Sequence, residues 1–279
     1  PGRRRARPVS GALVVCPTPI GNLGDVTLRV LDELRSADVI ACEDTRRTQT
    51  LLDRHGIATA RISLTEHNEG ARTPVLLARI RAGERVALVS DAGTPTVSDP
   101  GSRLVAAAAE EGLAVDVLPG ASAVVTAAAA SGLAGAGFVF CGFLPRTPAG
   151  LATLLDRLDA AGLAIVAFES PHRLAATLRA LAERDPDRRG AVCRELTKLH
   201  EEVRRGTVAE LSEAYAGAPK GEVTLVLAAA DATGRSEPTD AALRELADAL
   251  GSRRAASLAA RLTGLPRNRL YAAITREKR

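Results

Sequence analysis

Val86-Ala-Leu-Val-Ser-Asp-Ala-Gly-Thr-Pro-Thr-Val-Ser-Asp-Pro-Gly101 joins an apolar run to an alanine-rich one through a loop crowded with turn residues. Val86 to Val89 reads as a buried strand that stops at Ser90 and Asp91. Two turn-forming steps follow, Ala92-Gly93-Thr94-Pro95 and Ser98-Asp99-Pro100-Gly101, before a helix begins at Ser102. An ordinary strand-to-helix turn needs one Gly or Asp, so this density argues for a binding loop. Gly93 lets a ligand approach the backbone, and Pro95 and Pro100 stiffen the loop. Open α/β sheets hold their ligands at such strand ends.

The pattern repeats on both sides. Ala12–Cys16, Val39–Ala41, Ile62–Leu64 and Ala114–Leu118 are further apolar strands, each closing on a polar, Gly or Pro turn and followed by a helix. The helices are expected over Thr27–Ala37, after the Cys42–Arg47 turn as far as His55, from about Pro74 to Ala82, over Ser102–Glu111, and in the Ala/Val run after Ser122. Five strand–loop–helix repeats predict a mainly parallel sheet covered on both faces. Their turns then share one edge and converge on one cleft.

Ser131 to Gly137 reads as a linker, and a second α/β unit follows. Its strands are expected at Phe138–Cys141, Leu163–Phe168, Ala191–Arg194, Glu201–Arg205 and Glu222–Ala228, with helices over Gly150–Ala160, up to Glu183 and over Val208–Ala214. The close spacing of the last strands implies antiparallel pairing and a mixed sheet. Beyond a polar connection at 231–238, three short helices are expected at Thr239–Leu250, Ser252–Leu262 and Pro266–Ile274. Their spacing around Gly264 suits a helix-turn-helix as well as it suits a small packing bundle.

Composition narrows the partners. Aromatics make up 2% of the 279 residues and Trp is absent, so base-stacking platforms are nearly unavailable. The net charge of +4 hides basic ends, Arg3, Arg4, Arg5 and Arg7 at one and the segment from Arg235 onward at the other, around an acidic middle. Basic ends imply a polyanionic partner, although a leader of arginines is also common in solvated tails. Cys16, Cys42, Cys141 and Cys193 are far apart in apolar runs and read as free buried thiols in a reducing compartment. No metal-ligand spacing occurs, and no apolar stretch reaches membrane-spanning length. A soluble, cytoplasmic protein is expected.

Several chemistries are missing. No GxGxxG follows a strand, no lysine follows a glycine loop, and Gly120-Ala-Ser-Ala123 lacks the second glycine of a nucleophile elbow. What remains is a cleft of backbone and small residues with carboxylates and arginines around it, suited to an adenosine-like ligand that brings its own chemistry.

The motifs Val15-Cys-Pro-Thr-Pro-Ile-Gly-Asn-Leu23, Glu43-Asp-Thr-Arg46, His67-Asn-Glu69, Leu88-Val-Ser-Asp-Ala-Gly-Thr-Pro95, Asp99-Pro-Gly101, Leu118-Pro-Gly120, Gly142-Phe-Leu-Pro145, Glu169-Ser-Pro-His-Arg173 and Arg194-Glu-Leu-Thr-Lys198 together resemble the ribosomal small-subunit methyltransferase I family. The resemblance runs from about Leu13 to Leu227, with a looser match over 239–279. It implies two α/β domains of the tetrapyrrole-methylase type, 11–131 and 136–230, with the cofactor cleft between them. A C-terminal helical, helix-turn-helix-like appendage at 239–279 completes the implied fold. It further implies S-adenosylmethionine as cofactor, the ribose 2′-hydroxyl of a cytidine in 16S rRNA of the small ribosomal subunit as target, and a homodimer.

By the same resemblance Pro19, Ala92, Gly93, Thr94, Ser122, Ala123 and Phe168 would touch the cofactor, and the stretch near Thr207 would close over it. A base for the 2′-hydroxyl would come from Glu43, Asp44, Asp91, Glu169 or His172, with Glu43, Asp91 and His172 foremost. Asp44 and Asp91 equally suit helix caps. Arg46, Arg173 and Arg194 would clamp phosphates. Two other functions stay open on the residues: a methylase of the same fold acting on a tetrapyrrole-type small molecule, and a nucleotide-sensing helix-turn-helix regulator.

Overall fold

The apolar run at Val86 becomes the middle of a sheet. The computed structural model describes residues 11–135, 137–230, 240–263 and 265–275. The arginines of the leader, Ala136 in the expected linker, the 231–238 connection and Gly264 lie outside the described residues. The first sheet contains β1 (Ala12–Val15), β2 (Val39–Cys42), β3 (Arg61–Ser63), β4 (Arg85–Val89) and β5 (Ala114–Val117). Their order is β3-β2-β4-β1-β5, and every pairing is parallel, as the repeated strand–loop–helix pattern predicts.

Alternation along β1 sorts the core into two faces. Ala12 and Val14 meet Val30 and Leu34 of α1 (Leu28–Ser36) and Leu51 and Leu52 of α2 (Thr45–Arg54). Leu13 and Val15 meet Leu76 and Ile80 of α3 (Glu69–Arg81) and Leu104 of α4 (Ser102–Glu110). With both faces covered, polar residues are pushed to the strand ends.

The second sheet has β6 (Phe138–Phe143), β7 (Ala164–Glu169), β8 (Arg189–Arg194), β9 (Glu202–Thr207) and β10 (Val223–Leu227), in the order β6-β7-β10-β8-β9. Only β6 and β7 pair in parallel; the other three pairings are antiparallel, giving the expected mixed sheet. Helices α6 (Pro148–Asp159), α7 (Pro171–Arg184) and α8 (Val208–Ala214) cover one face. The other face is covered by α5 (Ala123–Ser131), whose Val124, Ala127 and Ala128 pack on Val166, Ala191, Cys193 and Val226. The helix that follows the last strand of the first sheet thus serves the second. Both sheets lie in one compact unit that ends at Ala229.

Three local features differ from the sequence reading. α3 starts at Glu69, and Pro74 sits inside it, because Asn68 accepts the Thr65 N–H at 2.8 Å and winds the chain earlier. β6 runs past Cys141 to Phe143 through an irregularity between Phe140 and Phe143, where Gly142 has φ +69°. Cys141 is only half-buried, whereas the other three thiols are buried, and all four are free.

The second unit, from Ala230 onward, holds α9 (Asp240–Leu250), α10 (Ser252–Thr263) and α11 (Arg267–Thr275). Leu243, Ala256, Ala259 and Leu270 form its own small core. Among the described residues, no helix is long and apolar enough to cross a membrane.

The loop after β4 is anchored by a buried carboxylate. Gly101 precedes α4 with φ +114° and no capping side chain, and a Cβ there would press on Leu88 at 2.6 Å. Glu69 supplies the cap from α3: its Oε1 accepts the Gly101 N–H at 3.0 Å and the Arg103 N–H at 2.9 Å. These are orphan donors of a helix N-terminus, where negative charge is favoured. Replacing Glu69 by Ala is therefore expected to lower the unfolding free energy by roughly 2–4 kcal/mol, measured by urea denaturation. An unchanged midpoint would contradict the cap.

Candidate functional site

The carboxyl ends of the first sheet's strands and the edge of the second enclose a cavity of about 560 Å³, a size that holds a drug-sized or cofactor-sized ligand. The loop after β4 forms its floor with Ala92, Gly93, Thr94, Ser98 and Asp99. Gly93 is fixed by two backbone hydrogen bonds with Thr18, Thr18 N–H to Gly93 O at 2.8 Å and Gly93 N–H to Thr18 O at 2.9 Å. Its φ is +81°, and a Cβ would lie 3.4 Å from Ile20. Thr96 and Ser98 also adopt left-handed backbone, at φ +74° and +64°, a conformation that costs energy without glycine and clusters at ligand sites.

Ser122, Ala123 and Val124 add the start of α5 to the wall. Ser122 caps that helix by accepting the Val125 N–H at 3.5 Å, and Thr94 donates to Ala121 O at 3.2 Å. Phe143 and Phe168 give an apolar side, their rings 5.6 Å apart, with Phe140 edge-on to Phe168 at 4.9 Å. Six of the seven expected cofactor residues thus line one cavity: Ala92, Gly93, Thr94, Ser122, Ala123 and Phe168. Pro19 does not; it is buried beside Ile20, which lines the cavity instead.

The charged candidates separate. Asp91 accepts the Asp44 N–H at 2.9 Å and pairs with Arg47 at 3.5 Å. Asp44 in turn caps α2 through the Arg46 N–H at 2.7 Å. Asp44 therefore acts as the cap, and Asp91 holds the capping residue in place. Glu169 has its side chain wholly enclosed, pairs with Arg173 at 2.5 Å, and accepts the Ser170 N–H and the Thr177 hydroxyl, each at 2.6 Å. Arg173 also donates to Leu144 O at 3.1 Å, and Arg194 is held by Glu202 at 2.9 Å and Lys220 O at 3.0 Å. These two arginines brace the walls instead of standing open for phosphate. His172 is exposed on α7 and outside the cavity, and Arg46 is exposed on α2.

The sequence reading missed the fourth wall, Gly221 to Thr224. Thr207, expected to close over the ligand, instead caps α8 in a reciprocal pair with Glu210. The wall is held by Arg194-Glu-Leu-Thr-Lys198. Glu195 accepts the Glu222 N–H at 2.9 Å, and Lys198 bridges Glu195 at 2.8 Å and Glu222 at 3.1 Å. Asn22 N–H donates to Thr197 Oγ1 at 3.0 Å, and any side chain on Gly21 would overlap Lys198. This clasp joins the Ile20 wall to the Gly221 wall. A glycine next to an acidic residue before the last strand was the signal available.

With the geometry in place, known proteins give the family. The profile of Tetrapyrrole (Corrin/Porphyrin) Methylases matches residues 12–212, and that of the RsmI C-terminal HTH domain matches residues 232–278. A ribosomal RNA small subunit methyltransferase I of Mesorhizobium japonicum is 45% identical, covering 95% of this chain and 92% of that protein. One of Synechocystis sp. is 44% identical over 94% and 96%. The chain belongs to the ribosomal RNA small subunit methyltransferase I family. It is a methyltransferase. The crystal structure of diphthine synthase shares the fold with a TM-score of 0.62, covering 78% of this chain and 90% of that one at 18% identity. The family's appendage is described as helix-turn-helix, so of the two readings of the last helices the first holds.

The site is acidic. Burial, then the charge of Asp91, raises the Glu43 carboxyl above its ordinary value. Burial, then the charge of Glu43, pushes Asp99 from 3.8 up to about 7. Among the described residues no cluster of His, Cys, Asp or Glu has the arrangement to hold a metal ion. Because the folded state keeps a proton on Asp99 that the unfolded chain releases, stability from the neutral carboxyl is full below pH 3.8 and is lost as pH rises to about 7. Asp99→Asn is expected to remove this loss, so the variant gains on the parent protein between about pH 4 and 7, in urea melts across that range. A constant difference would mean that Asp99 titrates normally.

Proposed function

We propose that the protein transfers a methyl group from S-adenosylmethionine to the ribose 2′-hydroxyl of a cytidine in the 16S rRNA of the small ribosomal subunit. The observation that carries this reading is the cavity itself. Its Gly93 and Ala123 leave the backbone open to a ligand, and the family is a methyltransferase one. When bound, S-adenosylmethionine supplies a methyl group already activated on a positively charged sulfonium. Ala92, Gly93, Thr94, Ser122 and Ala123 would hold it through backbone and small side chains, with Phe168 against its apolar surface. Pro19 would act through Ile20. The carboxylates of Glu43, Asp91 and Asp99 make the neighbourhood favourable to a cation, and the walls exclude water. Alignment of the 2′-oxygen with the methyl carbon supplies much of the rate, since oriented reactants reach effective molarities of roughly 10⁵ M or more.

Of the arginines first considered for RNA, Arg46 on the exposed start of α2 is the one free to meet a phosphate in this reading; Arg173 and Arg194 hold the site's walls. The helices of the second unit, which carry Arg253, Arg254 and Arg267, would supply further phosphate contacts. The protein would act in the cytoplasm, as a homodimer.

Incubating the protein with methyl-labelled S-adenosylmethionine and small subunits lacking the modification tests the reading. Label on a cytidine 2′-oxygen is the expected result. Label only on tetrapyrroles, or tight duplex DNA binding without any transfer, would replace it with one of the two alternatives. Gly93→Val places a branched side chain at φ +81° and should weaken S-adenosylmethionine at least about tenfold without unfolding the protein. Equilibrium binding reads this out, and unchanged affinity would put the cofactor elsewhere. Removal of residues 240–279 should weaken subunit binding while leaving cofactor affinity intact; equal loss of both, or of neither, would deny the second unit an RNA role.

A further inference from the structure

The chain has four Phe, two Tyr and no Trp, and the fold leaves one of these rings mostly in solvent. Tyr215 is buried, and Phe140 and Phe168 are half-buried against the core that the two sheets share. Phe138 and Tyr271 are 36% and 38% exposed. Phe143 is 58% exposed, the most of any aromatic residue, and it lines the cavity. A ring left this open contributes little burial to the stability of the fold, so its placement points to a ligand.

A bulge in β6 puts it there. Phe140 pairs with Val166 and Phe143 with Phe168, so three steps along β6 meet two along β7. Regular alternation would set Phe143 with Cys141, on the face covered by α6, α7 and α8. The extra residue turns it to the face of Phe140 and Phe168, 5.6 Å from the Phe168 ring. Gly142 makes the turn at φ +69°, and bulges beside active sites re-aim side chains in this way. The loop behind the ring is fixed. Leu144 is buried, its N–H donates to Phe168 O at 3.3 Å, and its O accepts from Arg173 at 3.1 Å. Thr147 then caps α6 by accepting the Gly150 N–H at 3.2 Å. Between these anchors Arg146 is exposed, and no carboxylate among the described residues pairs with it.

A braced, solvent-facing ring with an open cation three residues on has the chemistry that holds single-stranded RNA. An unstacked base lies on the aromatic face, and a phosphate meets the guanidinium. We propose that Phe143 and Arg146 form the docking platform for the target nucleotide, its base stacked on Phe143 and a neighbouring phosphate on Arg146; the inference rests on the 2′-O-methylation reading. The inner ring, Phe168, is left to the ligand inside the cavity, and the outer ring takes the base. The ribose of a base held there lies at the mouth of the cavity that Gly93 and Ser122 line. Stacking tolerates every base, so the platform positions the nucleotide and does not by itself select cytosine.

The test compares full-length wild-type protein, Phe143→Leu, Phe143→Tyr and Arg146→Ala in methyl transfer to small subunits lacking the modification, with S-adenosylmethionine binding measured in parallel. Leucine keeps an apolar wall and removes the π-face. For Phe143→Leu, kcat/KM for the subunit should therefore fall about 5- to 150-fold, mainly through KM, while cofactor affinity changes far less. Phe143→Tyr keeps the π-face and should retain most of the transfer. Arg146→Ala should lower the salt slope of subunit binding by about one; an unchanged slope would remove the phosphate contact. Wild-type kcat/KM in Phe143→Leu would overturn the platform. So would a loss of cofactor affinity as large as the loss of transfer, which would give the ring to the adenosine. Phe143→p-benzoylphenylalanine, irradiated on the subunit, should crosslink to the methylated cytidine or a nucleotide beside it, and crosslinks only elsewhere would also overturn it. Normal transfer by both wild type and Phe143→Leu refutes the platform alone, whereas no transfer by wild type refutes the 2′-O-methylation reading and the platform with it. A mostly exposed ring can be replaced without unfolding the protein, and a thermal melt confirms that the comparison is between folded chains.

Discussion

Much of this structure depends on α5 lying against a sheet to which its own strand does not belong. β5 closes the first sheet, yet Val124, Ala127 and Ala128 of the next helix pack on the second. Alanine at the contact lets the helix backbone come close. The crossing has two effects. It gives the two sheets a shared core that includes Ile20 and Phe168, and it brings the first turn of α5, capped by Ser122, to the rim of the cleft. A cavity bounded by both sheets is then a consequence of connectivity, not of two separate bodies meeting.

Electrostatics follows from the same packing. Carboxylates at the ends of β2 and β4, and in the loop after β4, are drawn into a partly dehydrated space. Asp44 and Asp91 are satisfied by the start of α2 and by Arg47, and Glu43 and Asp99 are left to carry the strain as raised proton affinities. A chain with four phenylalanines and no tryptophan places three of its rings, Phe140, Phe143 and Phe168, beside that space. Aromatic rings and carboxyl-bearing residues thus border one space, which suits a cationic, partly aromatic ligand.

The parallel sheet was legible because strands buried on both faces read as unbroken apolar runs, and their polar endings mark the cleft. Six cavity-lining residues were legible for the same reason: they sit three to six residues beyond a strand end, or just inside one, as Phe168 does. Side-chain commitments were not. Arg173 and Arg194 have the composition of phosphate clamps, and only their distances to Glu169 and Glu202 show them occupied. Asp99 was hidden by its own usefulness as a turn residue before Pro100. Pro74 misled because proline usually opens a helix, whereas the turn built by Asn68 had already begun one. The Gly221 wall escaped notice because it comes before a strand, on the side where parallel sheets seldom bind.

The clasp made by Asn22, Thr197 and Lys198 has a kinetic consequence. It ties two walls with a single backbone-to-hydroxyl hydrogen bond and a lysine shared between two carboxylates, all near solvent. Bonds of this kind open at far lower cost than the packed core beneath α5. The border of the cleft is thus weaker at this clasp than in the core that the two sheets share.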